Sequence, residues 1–302
     1  MTSRWRRLVA ATCLAGCAVA QATPIVFVDD AGREHRIAGP ARRVVTLAPH
    51  LTEIVYAVGG GAQLVGTIDA SDFPEAARAL PRIGDHARFD VERLLLLKPD
   101  LVLAWLSGNP DREVRALEAA GLRVVRLESQ RLAEVPASLE RVGRLLGREA
   151  EGAREATRLR GTIEALRTRH AGAAPLRVFY QVWPQPLLTL NGRHLVSDVL
   201  ALCGGRNVFA GLDALVPPVS TEAVLAADPQ VVLTGSERPD VPWIHRPDAP
   251  GFATWRSARG LAATRRGAFY QLDGDLIARA GPRIALGVQA ACEVLERVRR
   301  SR

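Results

Sequence analysis

FDVERLLLLKPDLVLAW (Phe89 to Trp105) and VSTEAVLAADPQVVLTG (Val219 to Gly235) are two versions of one pattern. In each, a glutamate (Glu92, Glu222) opens a short apolar helical run, a proline follows seven residues later, and an apolar strand comes next. Pro99 and Pro229 end the helix, because proline disfavours helix in the residue before it and cannot continue the ladder. One such unit in each half predicts two lobes of like construction. Each lobe then carries an exposed glutamate at the start of a helix.

Working outward from the first unit, residues 24–40 read as a β-hairpin turning at Asp30-Ala31-Gly32. VVTLAP is a buried parallel strand by its β-branched run, and LTEIVYAVGGG is a helix ending in glycines. QLVGTI is a second strand, and SDFPEAARALPRIG is a loop with helical character. A helix over 111–121 and a strand over 122–128 follow the unit. Such alternation means a parallel sheet covered by helices. From Leu132 to Ala171 there is no strand pattern, only an Ala, Leu, Arg and Glu run with helical periodicity. It reads as one long connecting helix, a stiff spine that predicts a small lobe motion. Beyond it the pattern restarts. Arg177 to Pro184 echoes Arg43 to Pro49, and HLVSDVLALCGGRN echoes the first helix. RGAFYQLDGD is a final strand, and a C-terminal helix has Pro282 at its first turn. The expected fold class is therefore α/β, two doubly wound lobes in pseudo-repeat joined by a long rigid helix, with the ligand cleft between them. The expected boundaries are a signal peptide over 1–22, an N-terminal lobe over 23–131, the connecting helix over 132–174 and a C-terminal lobe over 175–302.

A chain of 302 residues, 48% hydrophobic, can bury two cores. Its formal charge of +8 includes Arg4, Arg6 and Arg7 of the leader, and without them the balance is 37 basic against 32 acidic residues, or +5. The remaining arginines are dispersed among acids and Lys98 is the sole lysine, so this is a solvated surface and no nucleic-acid patch. MTSRWRR followed by LVAATCLAGCAVA and Ala20-Gln21-Ala22 has the anatomy of a cleaved export signal. Leu14-Ala15-Gly16-Cys17 also fits a lipoprotein box, which would anchor the chain at Cys17. Both readings export the protein, and the brevity of the apolar run before Cys17 favours simple cleavage. Cys203 and Cys292 then remain as an even pair in an oxidising compartment. A disulfide is the leading reading over two buried thiols, and two cysteines are too few for a structural zinc site.

Enzyme motifs are missing. Gly59-Gly60-Gly61 follow a helix, whereas a phosphate-binding loop precedes one. There is no G-x-S-x-G elbow, no H-E-x-x-H and no P-loop lysine. A binding function without catalysis or cofactor is expected.

RVVTLAPHLTEIVYAVGG, SDFP, ERLLLLKPDLVLAW, RVFYQVWPQPLLT, LCGGRN and GPRIALG together resemble the helical-backbone substrate-binding proteins of bacterial ABC importers. The likeness covers nearly the whole exported chain and is nearest to the periplasmic cobalamin binders. Haem and ferric-siderophore binders share the fold and supply the alternative ligands. The resemblance implies a monomer in the periplasm that carries a cobalamin-type corrinoid to an inner-membrane permease. It implies that Glu92 and Glu222 dock onto permease arginines, one per lobe, and that the family's disulfide falls on Cys203 and Cys292. An exposed carboxylate at a helix N-terminus is stabilised there and stays available to arginine; one such glutamate alone would read as a cap of its own helix, but its match in both lobes favours docking. For the ligand, Trp105 and Trp183 are candidate aromatic walls, and Phe73, Asp275 and Arg279 match positions near the family's ligand. Ala70, His86 and Val216 stand where the cobalamin binders carry aromatics. His50 and His86 could face the cleft and ligate cobalt or haem iron, or serve as hydrogen-bonding surface histidines. For haem, Tyr180 is a third axial candidate.

Overall fold

A computed structural model describes residues 24–236 and 241–301. The export signal and the lipid-anchor reading at Cys17 lie outside the described residues. The chain opens with the hairpin β1 (Ile25–Val28) and β2 (Glu34–Ile37). The Asp29 carboxylate closes its turn by accepting the backbone N–H groups of Ala31 and Arg33. The N-terminal lobe follows as β3 (Val44–Thr46), α1 (Pro49–Ala57), β4 (Leu64–Thr67), α2 (Val91–Leu96), β5 (Leu101–Trp105), α3 (Asp111–Ala119) and β6 (Val124–Leu127). Its strands are all parallel in the order β4-β3-β5-β6.

Two helices come next, α4 (Glu134–Leu145) and α5 (Glu149–His170). The helical stretch between the lobes is thus divided at residues 146–148, where Gly147 takes a left-handed φ of 67°. The reason for the division is close packing. A Cβ on Gly152 would lie 2.8 Å from the Leu139 carbonyl, so the two helix backbones touch where Gly143 meets Gly152. With 22 residues, α5 is roughly 33 Å long and forms the spine.

The C-terminal lobe contains β7 (Leu176–Gln181), the small hairpin β8 (Trp183–Pro184) and β9 (Leu187–Leu188), α6 (Leu195–Leu202), β10 (Gly205–Asn207), α7 (Thr221–Ala227) and β11 (Val231–Ser236). It ends with β12 (Trp243–His245), α8 (Ala253–Ser257), α9 (Ala262–Arg266), β13 (Phe269–Asp273), α10 (Gly274–Ala278) and α11 (Ile284–Arg300). Its sheet order, β10-β7-β11-β13-β12, repeats that of the first lobe and adds β12 as an antiparallel edge. In both lobes the first strand lies between the next two strands of its own sheet, β3 between β4 and β5 and β7 between β10 and β11. That reversal opens a crevice at the strands' C-terminal ends.

Alternation along the strands sends side chains to two faces. Val45, Val102 and Val124 pack with Leu94 of α2 and Val114 of α3, and Phe179, Val232 and Phe269 pack with Val224 and Trp255. The opposite faces belong to one continuous core. It runs from Leu103 and Val125 through Ala156, Leu159 and Ile163 of α5 to Val178, Leu233 and Val288. The lobes therefore share apolar packing along the spine. Cys203, at the end of α6, is bonded to Cys292 of α11 with both residues buried.

The matched units correspond in atomic detail. Asp90 and Ser220 are the N-caps, accepting the N–H groups of Arg93 and Ala223. The residues before the prolines, Lys98 and Asp228, both take positive φ, 46° and 42°. Arg43 donates to the Lys98 carbonyl at 3.1 Å, and Arg177 donates to the Asp228 carbonyl at 2.9 Å. Asp100 accepts the Arg43 N–H, as Gln230 accepts that of Arg177. One local solution has been built twice. Among the described residues, no helix is long and apolar enough to cross a membrane.

Candidate functional site: the cleft between the lobes

The cleft floor is where α1 of one lobe meets the α10–α11 junction of the other. Glu53 sits on the apolar face of α1 with Ile54 and Val55 and is 2% exposed. A buried carboxylate needs partners. Its two oxygens accept from Arg283 Nε at 2.8 Å and Nη2 at 2.6 Å, and from Arg279 Nη1 at 3.3 Å. Arg279 also binds Asp72 of the first lobe at 3.2 Å and Asp275 of its own at 2.8 Å. The Arg283 guanidinium lies 4.0 Å over the centre of the Phe73 ring. Burial opposes the charge on Arg283, but the Glu53 bonds more than offset it and raise its pKa. Burial likewise lifts the Asp275 carboxyl above the usual range, with Asp72 and Asp273 adding to the rise and Arg279 opposing it.

Beside this clasp lies a recess of about 40 Å³ lined by His50, Trp105, Glu128 and Gln130 from one lobe and His194, Leu215 and Ala278 from the other. Trp105 ends β5, and His50 meets its ring edge-on with centroids 5.2 Å apart. Burial first and the nearby Arg279 second push the His50 pKa down to about 3, so its imidazole is neutral. His194 caps α6 through Nδ1, accepting the Val196 N–H. Among the described residues, no arginine or lysine lines the recess, and Glu128 is its single carboxylate. Among the described residues no cluster of His, Cys, Asp or Glu could hold a metal ion. A larger open groove of about 660 Å³ beside β10 shares no lining residue with the cleft.

The expected residues fall into three groups. Trp105 and His50 form one wall of the recess. Phe73, Asp275 and Arg279 come together, but around the clasp, where Arg279 is already paired. Trp183 and His86 lie outside the recess. Trp183 is 55% exposed on the β8–β9 hairpin, and His86 is exposed in the turn before α2. Glu92 and Glu222 are exposed at the outer ends of α2 and α7, with Leu95, Leu96 and Leu225 exposed beside them. Their carboxylates are not the principal caps, which are the side chains of Asp90 and Ser220. The Glu222 carboxylate is held below its ordinary range by its own backbone N–H and the Ser220 hydroxyl.

The sequence profile of the periplasmic binding protein family matches residues 44–276. The chain belongs to this family. Within it, a vitamin B12-binding protein of Vibrio cholerae is 35% identical over 258 residues, covering 85% of this chain and 90% of that one. The crystal structure of the periplasmic vitamin B12 binding protein BtuF of Vibrio cholerae superposes with a TM-score of 0.77 at 34% identity, over 86% of this chain and 98% of that one. The periplasmic haem-binding protein BhuT, in complex with two haems, superposes with a TM-score of 0.73 at 28% identity, over 86% and 99%.

Three residues of this periplasmic binding protein's cleft escape a reading of motifs: Glu53, Arg283 and Glu128. For Glu53 a signal existed, since a carboxylate between Leu51 and Ile54 on a helix of buried residues demands a cationic partner. Nothing local names that partner, which lies 230 residues away.

Proposed function

We propose that this protein captures a cobalamin-type corrinoid between its lobes in the periplasm and delivers it to an inner-membrane ABC permease. The observation that carries the ligand class is the charge of the cleft. Its arginines among the described residues, Arg279 and Arg283, are paired with Glu53, Asp72 and Asp275, and the recess offers an indole, uncharged donors and acceptors and the Glu128 carboxylate. A corrin rim carries neutral carboxamides, whereas haem carries two propionates and ferric siderophores are anionic chelates, both of which call for unpaired arginine. The haem reading is further weakened at its axial candidates. Tyr180 is buried in the core, His50 is buried with its ring packed against Trp105, and His86 lies outside the recess. The vitamin B12-binding relatives support the same choice. At about 40 Å³ the recess is far below the roughly 300–1,000 Å³ of small-molecule sites, so a corrinoid seats only when the lobes part across it.

For delivery, Glu92 and Glu222 are the docking carboxylates, one per lobe. The exposed Leu95, Leu96 and Leu225 extend each into a mixed acidic and apolar contact, the kind that an arginine-bearing permease surface complements. The ligand test incubates protein beginning at Thr23 with cyanocobalamin or haemin, removes the free compound and records the visible spectrum. Corrinoid absorbance at about one per chain is expected. A Soret band without retained corrinoid overturns the assignment. For docking, Glu92→Ala with Glu222→Ala leaves corrinoid retention intact and removes stimulation of the permease's ATPase in vesicles.

A further inference from the structure

Trp105 is fixed in place to an unusual degree for a partly buried aromatic. Its indole Nε1–H donates to Glu128 Oε1 at 3.2 Å, and that same oxygen accepts the Ser129 N–H at 3.1 Å. The second oxygen, Oε2, accepts the Ser107 N–H at 2.9 Å. One carboxylate thus ties the indole to two loops that leave the sheet after β5 and β6. On the ring itself, a Cβ added at Gly108 would come within 1.9 Å of Trp105 Cε3, so the bare glycine backbone lies directly against the aromatic face. His50 closes the third side edge-on. The backbone is held as well, because Asn109 Oδ1 accepts the Trp105 N–H at 2.7 Å while its Nδ2 donates to the carbonyls of Leu47 and His86.

We infer that Glu128 and Gly108 are positioning residues that set the Trp105 indole in a single rotamer and so pre-form the aromatic wall for the flat ligand. The inference rests on the corrinoid reading above and concerns the site's own residues. Pre-organisation raises affinity because a ligand meeting a fixed ring need not order it. An aromatic face in the correct plane then contributes its stacking in full. Glu128 acts through the indole, so its effect on binding exists only while Trp105 is present.

A double-mutant cycle with cyanocobalamin tests this. Glu128→Ala is expected to weaken binding about three- to tenfold, close to the loss from Trp105→Ala. In the Trp105→Ala background, Glu128→Ala is expected to change it by less than about twofold. Glu128→Gln keeps one acceptor for the indole and restores most of the affinity. Gly108→Ala displaces the ring and reproduces the Trp105→Ala loss. Additive losses overturn the inference, since Glu128 would then touch the ligand itself. A ligand-free measurement stands beside the cycle. The indole Nε1–H resonance of Trp105, assigned by its absence in Trp105→Phe, should shift and lose exchange protection in Glu128→Ala while the thermal midpoint stays near wild type. An unchanged indole resonance overturns the positioning role. Failure of the wild-type protein to retain cyanocobalamin counts against the proposed function, and the resonance still decides the role of Glu128.

Discussion

Replacing Glu53 by alanine removes the one buried carboxylate that faces two arginines of the other lobe. Its side chain is 1% exposed, against 19% for Arg283 and 16% for Arg279. Deleting one partner of a fully buried ion pair costs about 3–5 kcal/mol, mostly the penalty of the charge left behind. Here the loss is smaller. Arg279 keeps Asp72 and Asp275, Arg283 keeps the face of Phe73, and both guanidiniums reach water on one side. The expected cost is about 2–3 kcal/mol, or roughly 3–5 °C in thermal midpoint for a chain of this size. Glu53→Gln retains a carbonyl that can accept one Arg283 bond and should lose about half as much. Glu92→Ala, an exposed carboxylate, serves as the control and should stay within about 0.5 kcal/mol of wild type. Thermal and urea unfolding followed by near-ultraviolet circular dichroism reads all three. A Glu53→Ala protein within about 0.5 kcal/mol of wild type refutes the reasoning, because water would then be satisfying both arginines. So would a glutamine variant as damaged as the alanine one.

Two further outcomes follow from contacts outside the cleft. The Cys203–Cys292 bond closes a loop of sequence separation 89, for which the loop-entropy relation gives about 4–5 kcal/mol. The paired Cys203→Ser and Cys292→Ser protein should lose most of that in urea unfolding, and a loss under about 1 kcal/mol would contradict the entropic account. Burial alone would raise the Asp29 carboxyl, but the His35 imidazole and the N–H groups of Arg33 and Arg126 outweigh it and hold the pKa low. A depressed folded pKa contributes stability above the ordinary carboxylate value that is lost as pH falls through the folded value. Asp29→Asn should therefore flatten the decline of stability below about pH 4, and identical pH profiles for the two proteins would exclude that role.

The pseudo-repeat was legible because its determinants are local. A cap, an apolar face, a residue that turns left-handed and a proline lie within ten residues, and each acts on its own segment whatever the rest of the chain does. The same holds for the hairpin, the parallel strands and the glycine-ended helices. The helical stretch between the lobes was legible as helix but not as two helices. Its break depends on Gly143 and Gly152 touching across the turn, which is a tertiary contact. The cysteine pairing was accessible because few partners existed.

The cleft was legible only in part, for a physical reason. Trp105 and His50 announce themselves by lying at the ends of a strand and at the start of a helix, where an open α/β sheet exposes its crevice. Arg279 and Asp275 reach the same region, but Arg279 spends its charge on Glu53 and Asp72, more than 200 residues away in sequence, and Asp275 pairs with Arg279 itself. Periodicity and caps are short-range and survive being read in one dimension. Charge compensation, ring packing against a bare glycine and the width of a cleft are set by segments that meet only after both lobes have folded. The sequence alone thus determined a two-lobed α/β chain with matched glutamates. Which arginines are paired, which tryptophan is fixed and how narrow the cleft stands were decided by the tertiary structure, because those properties belong to pairs of residues that no local segment contains.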